Sequence, residues 1–156
     1  MRLICAVALM ILFDTAAAQA VDYRWTVGTG QGNVEASIRN REGGRFILFC
    51  GSGTPDRRGG IIVEGPASQA PKGKPVDVQV VVDGRNFAFS VTDGYGPTTV
   101  RGERFALANL ASALIASKAE SFAVEYPGLG RSEKFSLLNV SDAVKEGRTT
   151  IVAPCL

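Results

Sequence analysis

Residues 45–50 read RFILFC, and the next four residues, 51–54, read GSGT. The run is apolar on both of its alternating faces, so it predicts a strand inside a sheet, with neighbours on both sides. Cys50 ends this strand directly before a Gly-Ser-Gly turn. Whether Cys50 is a nucleophile on a tight turn or half of a structural disulfide decides which chemistry is open to the chain.

The first twenty residues have the pattern of a secretory signal peptide. An apolar stretch of 11 residues follows Arg2, and Ala18-Gln19-Ala20 offers small residues where signal peptidase requires them. The stretch is shorter than the roughly 20 residues that span a bilayer as a helix; a buried N-terminal helix is the alternative. We expect residues 1–20 to be removed, leaving one β-rich domain over residues 21–156 without a transmembrane segment. The expected location is the periplasm or the cell exterior.

Removal of the signal peptide discards Cys5 and leaves Cys50 and Cys155. Two cysteines in an exported chain favour a disulfide between them. A nucleophilic cysteine would need a base or a strongly cationic pocket to supply its thiolate. The sequence contains no histidine, and the nearby arginines cannot accept a proton near neutral pH. Free thiols or redox use remain the alternatives to the disulfide.

The lack of histidine in the sequence also excludes Ser-His-Asp and Cys-His catalysis and zinc sites built on imidazole. We predict no catalytic residue, no metal site and no cofactor. Chemistry based on carboxylates alone, as in glycosidases, stays open. The candidate pairs are Asp77 with Asp83, Asp93 with Glu103, and Glu120 with Glu125. Roles in turns and at strand edges explain these carboxylates as well.

Alternating apolar residues and frequent turn signals predict a mainly β fold. Residues 34–38 alternate between the two faces of a strand, and residues 40–44 follow as a hairpin turn. Asp83-Gly84 lies between two alternating runs, 76–82 and 86–92, which is a strong hairpin signal. We predict a two-layer β-sandwich or a curved antiparallel sheet.

One segment is helical rather than extended. Leu107, Leu110 and Leu114 recur at three and four residues in an alanine-rich run, which predicts a covering helix over about residues 106–117. Ser141 predicts the start of a second, short helix. The glycines of GTGQGN, residues 28–33, lack the spacing of a dinucleotide-binding fingerprint and precede a strand, so they predict a flexible connection.

Arginine and tyrosine recur beside glycine or proline in three predicted loops, TPDRRGG, YGPTTVRGER and YPGLGRSEK. Such residues are typical of adaptable contact surfaces. The candidate partner-binding residues are Arg57, Arg58, Tyr95, Arg101, Arg131 and Lys134. Ordinary loop charge that keeps the protein in solution is the alternative interpretation. The net charge of +2 lacks the basic excess of a nucleic-acid binder, so we predict no nucleic-acid partner.

The order of these features is similar to that in two groups of small exported proteobacterial proteins. The strand containing Trp25 is followed by RFILFC, VDVQVVVDGRNFAF, a Leu/Ala helix, FAVEY, EKFSLLNVSDAV and a terminal cysteine. This order resembles proteins of the invasion-associated locus B type and periplasmic accessory proteins of type VI secretion. The resemblance implies a β-rich, non-enzymatic protein concerned with interactions in the cell envelope.

The leading hypothesis is a small, exported, disulfide-closed, non-enzymatic binding or accessory protein of the bacterial cell envelope or secretion apparatus. It would contact a protein or another envelope macromolecule through its loops. The alternatives are a carboxylate-dependent enzyme acting on envelope glycan or lipid, and a purely structural envelope protein. A concave site with two carboxylates would favour the enzyme, and an exposed apolar patch ringed by Arg57, Arg58 and Arg131 would favour binding.

Overall fold

The computed structural model describes residues 23–30, 32–51, 53 and 57–156. The signal peptide predicted for residues 1–20 and the new N-terminus predicted at Val21 lie outside the described residues. The described strands are β1 (Thr26–Gly30), β2 (Asn33–Arg39), β3 (Arg45–Gly51), β4 (Gly59–Glu64), β5 (Pro75–Val82), β6 (Arg85–Thr92), β7 (Tyr95–Pro97), β8 (Ser121–Tyr126), β9 (Arg131–Ser136), β10 (Lys145–Glu146) and β11 (Thr149–Thr150). The described helices are α1 (Arg101–Ala116) and α2 (Val140–Val144), with 3-10 turns at Pro127–Leu129 and Ala153–Cys155.

Nine strands form one open antiparallel sheet in the order β1-β2-β3-β4-β7-β6-β5-β8-β9, and β10 pairs with β11 separately. The prediction of a mainly β fold is thereby confirmed. The RFILFC segment is β3, which pairs with β2 on one side and with β4 on the other. Phe46 to Cys50 are all buried, because both faces of an interior strand are covered.

The predicted hairpin between β5 and β6 is also confirmed. Asp83 and Gly84 have φ angles of 49° and 75°, and positive φ at both central residues is what a two-residue type I′ turn requires. The strands place Phe87, Phe89 and Val91 on the core face, where all three are buried.

The sheet curls so that its two halves face each other. The ring of Phe46 on β3 lies 5.3 Å from the ring of Phe122 on β8 and 6.1 Å from that of Phe135 on β9. In the sheet order, four strands separate β3 from β8. These ring contacts therefore require a strongly curved sheet, the second of the two predicted arrangements, whose aromatic core lies between the facing halves.

Trp25 and Asn139 join the two edges of this curled sheet. The backbone N–H of Trp25 donates to Asn139 Oδ1 at 2.9 Å, and Asn139 Nδ2 donates back to the Trp25 carbonyl at 3.0 Å. The Trp25 indole N–H donates to the carbonyl of Ser136 at 2.9 Å. The Asn139 carboxamide thus makes the two hydrogen bonds that a neighbouring strand would make with Trp25. It connects the residue before β1 to the segment that follows β9.

Helix α1 covers the sheet as predicted, with Leu107, Leu110 and Leu114 fully buried and packed toward β4, β5 and β6. It begins at Arg101, earlier than the predicted residue 106. The Glu103 carboxylate accepts the backbone N–H groups of Thr99 and Val100 at 2.6 and 3.2 Å. These bonds satisfy donors at the helix start, which explains why the polar RGER segment joins the helix.

Several predicted boundaries were wrong because pairing partners, rather than local pattern, decided them. Gly28 and Gly30 lie within β1 and pair with β2, instead of forming a flexible connection. Strand β7 occupies part of a predicted loop, and β9 includes Arg131, which was also assigned to a loop. Helix α2 begins at Val140 after a left-handed Asn139, not at Ser141.

The predicted disulfide is confirmed: Cys50 and Cys155 are joined, with their Cα atoms 5.8 Å apart. It attaches the C-terminal 3-10 turn to the end of β3. Gly59 lies directly beneath, where a Cβ atom would approach Leu107 Cδ2 to 2.8 Å and Cys155 Cβ to 3.0 Å. Only glycine lets the chain pass between the disulfide and α1 without displacing either.

Candidate functional site

Two surface sites lie at opposite ends of β3. We call them the disulfide end, where β3 reaches Cys50, and the hairpin end, where β3 begins at Arg45 after the residue 40–44 turn. The seven residues of β3 separate the ends by about 20 Å at roughly 3.4 Å per residue. A small ligand at one end therefore does not contact the other end.

The six predicted partner-binding residues do not share one surface. Arg57 and Arg58 lie beside the disulfide, since the Gly51 N–H donates to the Arg58 carbonyl at 3.0 Å, and Arg101 begins α1 at the same end. Arg131 lies on β9 and donates to the Pro66 carbonyl at 3.0 Å, and Lys134 lines a cleft at the hairpin end. Tyr95 lies apart from both groups, on β7.

The disulfide end carries an exposed apolar patch with two arginines. A shallow cavity of about 340 Å³ is lined by Arg101, Arg104, Phe105, Ala108 and Leu156, which we call the disulfide-end patch. Phe105 is 56% exposed and Leu156 is 49% exposed. Large apolar side chains left open together in this way mark a contact surface more often than singly scattered ones.

The disulfide-end patch is held in place by its neighbours. The Arg101 guanidinium lies over the Phe105 ring at 5.5 Å, and Arg104 donates to the Thr99 carbonyl at 3.1 Å. Leu156 follows Cys155, so the disulfide determines where the last residue lies. A patch ordered before binding loses less conformational entropy when a partner arrives.

The electrostatic character of this end is cationic. The carboxylate of Glu103 is already engaged: hydrogen bonds, above all from the Thr99 backbone N–H, hold the pKa of Glu103 below its usual value. Arg57, Arg58 and Arg101 are exposed at the same end. The positive end of the α1 dipole adds to this charge, so the surface favours an acidic partner.

Tyr95 belongs to a different environment on the outer face of the sheet. Its ring stacks on Phe49 at 5.1 Å. In a neighbouring cavity wall, Arg45 lies 3.7 Å from Glu35 and 3.5 Å from Glu64. The one positive and two negative charges leave this face with a net charge of −1, so it is opposite in sign to the two ends.

The hairpin end carries an open cleft of about 600 Å³ between the residue 40–44 turn and the strands β8 and β9. Its charged lining residues are Arg39, Arg41, Glu42, Glu120 and Lys134. The Arg41 guanidinium lies over the ring of Tyr23, another lining residue, at 5.5 Å. We refer to it as the hairpin-end cleft.

A buried carboxyl group lies behind this cleft. Glu133 is only 3% exposed, and its Oε2 accepts the Tyr126 hydroxyl at 2.8 Å. Burial raises the pKa of Glu133 above its usual range, while the nearby Tyr126 hydroxyl and Asn40 amide oppose the rise. Burial, followed by the bond to Glu133, raises the pKa of Tyr126 as well.

Asn40 connects the buried carboxyl to the cleft. Its Oδ1 accepts the Gly44 N–H at 2.7 Å and the Glu42 N–H at 3.1 Å, which shapes the turn. Asn40 Nδ2 and Glu133 Oε1 are both buried, yet neither completes a hydrogen bond. Both groups lie beside Gly44, and the nearby Asn40 amide partly offsets the effect of burial on the pKa of Glu133.

Three of the six carboxylates considered for catalysis have structural contacts. Asp83 accepts the Ser117 hydroxyl at 2.9 Å, and Asp93 accepts the Gly73 N–H at 2.8 Å. Glu103 serves the start of α1. Within the described ranges, no group of three or more Cys, Asp or Glu side chains is arranged to hold a metal ion, and no helix combines the length and apolarity of a membrane span.

Sequence reasoning missed Phe105, Leu156 and Glu133 as notable residues. Phe105 lies outside the leucine stripe of α1, two residues before Leu107, and a helix turns through about 200° over two residues. Glu133 alternates with Phe135 along β9, so the strand period places it on the core face. The helical position of Phe105 and the strand alternation of Glu133 can both be found in the sequence. Glu133 is nevertheless harder to identify, because a carboxylate is seldom buried.

The described chain is therefore a disulfide-closed, antiparallel β domain with an open site at each end. Residues 23–144, more than half of the chain, match the family described as YfjT, and the chain belongs to that family. A protein of Escherichia coli (strain K12) named "Uncharacterized protein YfjT" is 30% identical over 90 residues. The match covers 54% of this chain and 57% of the relative, so the chain spans little more than half of the relative's length. No solved structure matches.

Proposed function

We propose that the protein is an exported, non-enzymatic binding protein of the cell envelope, and that its disulfide-end patch holds an acidic, apolar segment of a protein partner. The observation that carries the proposal is the exposed Phe105 and Leu156 pair beside Arg101 and Arg104. Aromatic and arginine side chains supply most of the energy of protein interfaces. The flanking positive charge favours an acidic partner and speeds association.

The proposed location is supported by the signal-peptide pattern of residues 1–20 and by the disulfide, since disulfides persist in oxidising compartments. The resemblance to envelope proteins of the invasion-associated locus B and type VI accessory types agrees with the same location. The absence of an enzymatic role is part of the proposal. It is supported by the structural contacts of Asp83, Asp93 and Glu103. The concave hairpin-end cleft, lined by Glu42 and Glu120, is the observation that favours the alternative of a carboxylate-dependent enzyme.

The test places a photoreactive phenylalanine analogue at position 105 in cells that make and export the protein. We expect a discrete cross-linked adduct whose partner peptide is acidic and apolar. The double variant Arg101→Glu/Arg104→Glu should abolish the adduct without unfolding the protein, because glutamate is favourable in the first turn of a helix. The matched control, Lys72→Glu/Lys74→Glu, makes the same charge change on an exposed loop and should leave the adduct intact.

Intact mass of protein from the native compartment completes the test. We expect a chain that begins at Val21 and gains two alkyl groups only after reduction. A chain that retains Met1 would overturn the proposed export. The proposed acidic partner would be overturned if the adduct at position 105 survives the Arg101→Glu/Arg104→Glu change. It would also be overturned if a photoreactive residue placed at position 72 gives the same adduct.

A further inference from the structure

The hairpin-end cleft exists because the sheet curls around Trp25 and leaves an opening beside it. Trp25 and Asn139 bridge the sheet edges, and the cleft lies between the residue 40–44 turn and the start of β8. Its volume of about 600 Å³ falls within the range of about 300–1,000 Å³ that is usual for small-molecule sites. The disulfide-end patch lies at the other end of β3, so the two sites share no lining residue.

The charged side chains around the cleft include one more cation than carboxylates. Arg39, Arg41 and Lys134 face Glu42 and Glu120, which leaves three cations against two carboxylates and a net charge of +1. None of the five forms an ion pair with another described residue, since the ion pairs found there belong to Arg45. A ligand with one negative charge balances this surface, whereas a polyanion would bring further negative charges that the cleft does not compensate.

The walls and floor offer both apolar surface and hydrogen-bonding groups. Leu138 is 54% exposed and lines the cleft together with Tyr23. Ser121 is an exposed lining residue. Asn40 is a further polar lining residue of the cleft. This combination suits a ligand with an apolar ring face and several hydroxyl groups.

We propose that the hairpin-end cleft binds a sugar acid, that is, a small saccharide with one carboxylate and several hydroxyl groups. Lys134 and Arg39 bind the carboxylate, since guanidinium and ammonium groups form strong charge-assisted hydrogen bonds with it. Glu42 and Glu120 accept hydrogen bonds from the hydroxyl groups. The C–H face of the sugar ring packs against Leu138 beside Tyr23. This proposal does not depend on the proposed function.

The test is isothermal titration of the disulfide-bonded protein, lacking only residues 1–20, at low salt. The probes are a disaccharide that ends in glucuronic acid and the corresponding disaccharide that ends in glucose. We expect the acidic disaccharide to bind at least about tenfold more tightly, the contribution of one charge-assisted contact. The Arg39→Glu/Lys134→Glu variant should lose about tenfold or more for the acidic probe, and Lys72→Glu/Lys74→Glu should lose nothing.

Three outcomes would overturn the proposal: equal affinity for the two disaccharides, no binding of the acidic one at millimolar concentration, or an equal loss in both charge variants. Melting temperatures of the variants show whether each is folded, and the exposure of Arg39 and Lys134 favours that result. The Arg101→Glu/Arg104→Glu variant should bind the sugar acid normally. A failure here is thereby distinguishable from a failure of the disulfide-end proposal.

Discussion

The two ends of β3 are secured by different physical means. At the disulfide end, the Cys50–Cys155 bond attaches the C-terminus directly to the strand. At the hairpin end, the edges of the sheet are joined by the hydrogen bonds of Trp25 and Asn139, with Glu133 buried nearby. One end thus depends on a covalent bond, and the other on polar groups that must be desolvated and paired.

This difference indicates which conditions destabilise each end. A disulfide stabilises mainly by limiting the entropy of the unfolded chain, so its contribution does not depend on the titration of a nearby group. Buried polar groups stabilise only while they are paired and correctly protonated. We therefore expect redox conditions to act on the disulfide end and pH to act on the hairpin end.

Removal of the disulfide should have the largest effect. The cysteines are separated by 105 residues, and closing a loop of about 100 residues contributes roughly 4.7 kcal/mol in the chain-entropy model. The Cys50→Ser/Cys155→Ser variant should lose about this free energy of unfolding, or roughly 10–15 °C in Tm. Urea unfolding measures the loss.

Wild-type protein treated with reductant is the control for this prediction. It should melt close to the double-serine variant, whereas reductant should not change the variant itself. A double-serine variant as stable as the oxidised wild type would contradict a stabilising role for the bond.

Loss of the Asn139 side chain should have an intermediate effect. Asn139→Gly keeps the positive φ of 54° accessible but removes both hydrogen bonds to Trp25. We expect a loss of about 2 kcal/mol, since each unpaired, partly buried backbone group costs roughly 1 kcal/mol or more. Hydrogen exchange should quicken at Thr26–Gly30 more than at β5.

Asn139→Asp refines this measurement because aspartate keeps the acceptor for the Trp25 N–H and loses the donor to its carbonyl. Its stability should lie between those of the wild type and Asn139→Gly. Unchanged exchange at β1 in both variants would contradict the role of Asn139 in joining the sheet edges.

The pH dependence at Glu133 should be the smallest effect. Because burial raises the pKa of Glu133 in the folded state, the folded protein binds more protons than the unfolded chain over that interval. Stability from this group therefore falls as pH rises from the ordinary carboxyl pKa of about 4.3 through the raised value. Relative to Glu133→Gln, the wild type should gain stability as pH is lowered through this interval.

Thermal unfolding from pH 4 to 8 tests this sign, with Glu146→Gln at an exposed position as the matched control. The difference between wild type and the control should stay nearly constant with pH. A wild type that loses stability relative to Glu133→Gln on acidification would reverse the assigned direction.

Much of the fold follows from short-range patterns. Three local sequence patterns predicted elements that the structure contains: the apolar run RFILFC, the Asp83-Gly84 turn and the leucine stripe of α1. Strand β7 was not predicted, because a strand of three residues carries too little periodicity and is held by its neighbours β4 and β6. Strand β1 is exposed along most of its length and shows no apolar alternation.

The candidate sites were less predictable than the strands. Sequence reasoning selected Arg57, Arg58 and Arg101, which lie at one end, together with Lys134, which lies at the other. The composition of a loop identifies residues that are suited to contacts, but it does not show which loops lie close together in the fold. Phe105 lies outside the leucine stripe of α1, but only the tertiary structure brings it together with Leu156 in one exposed patch.

The sequence by itself determined most of the strands and their faces, the long helix and the disulfide, because a period of two or of 3.6 residues and a count of cysteines are local or arithmetic properties. Only the tertiary structure decided that the sheet curls, that Asn139 joins its edges and that the charged residues divide between two ends. These features depend on contacts between residues about a hundred positions apart. Such contacts are selected by how side chains fill the core together, which no local period records.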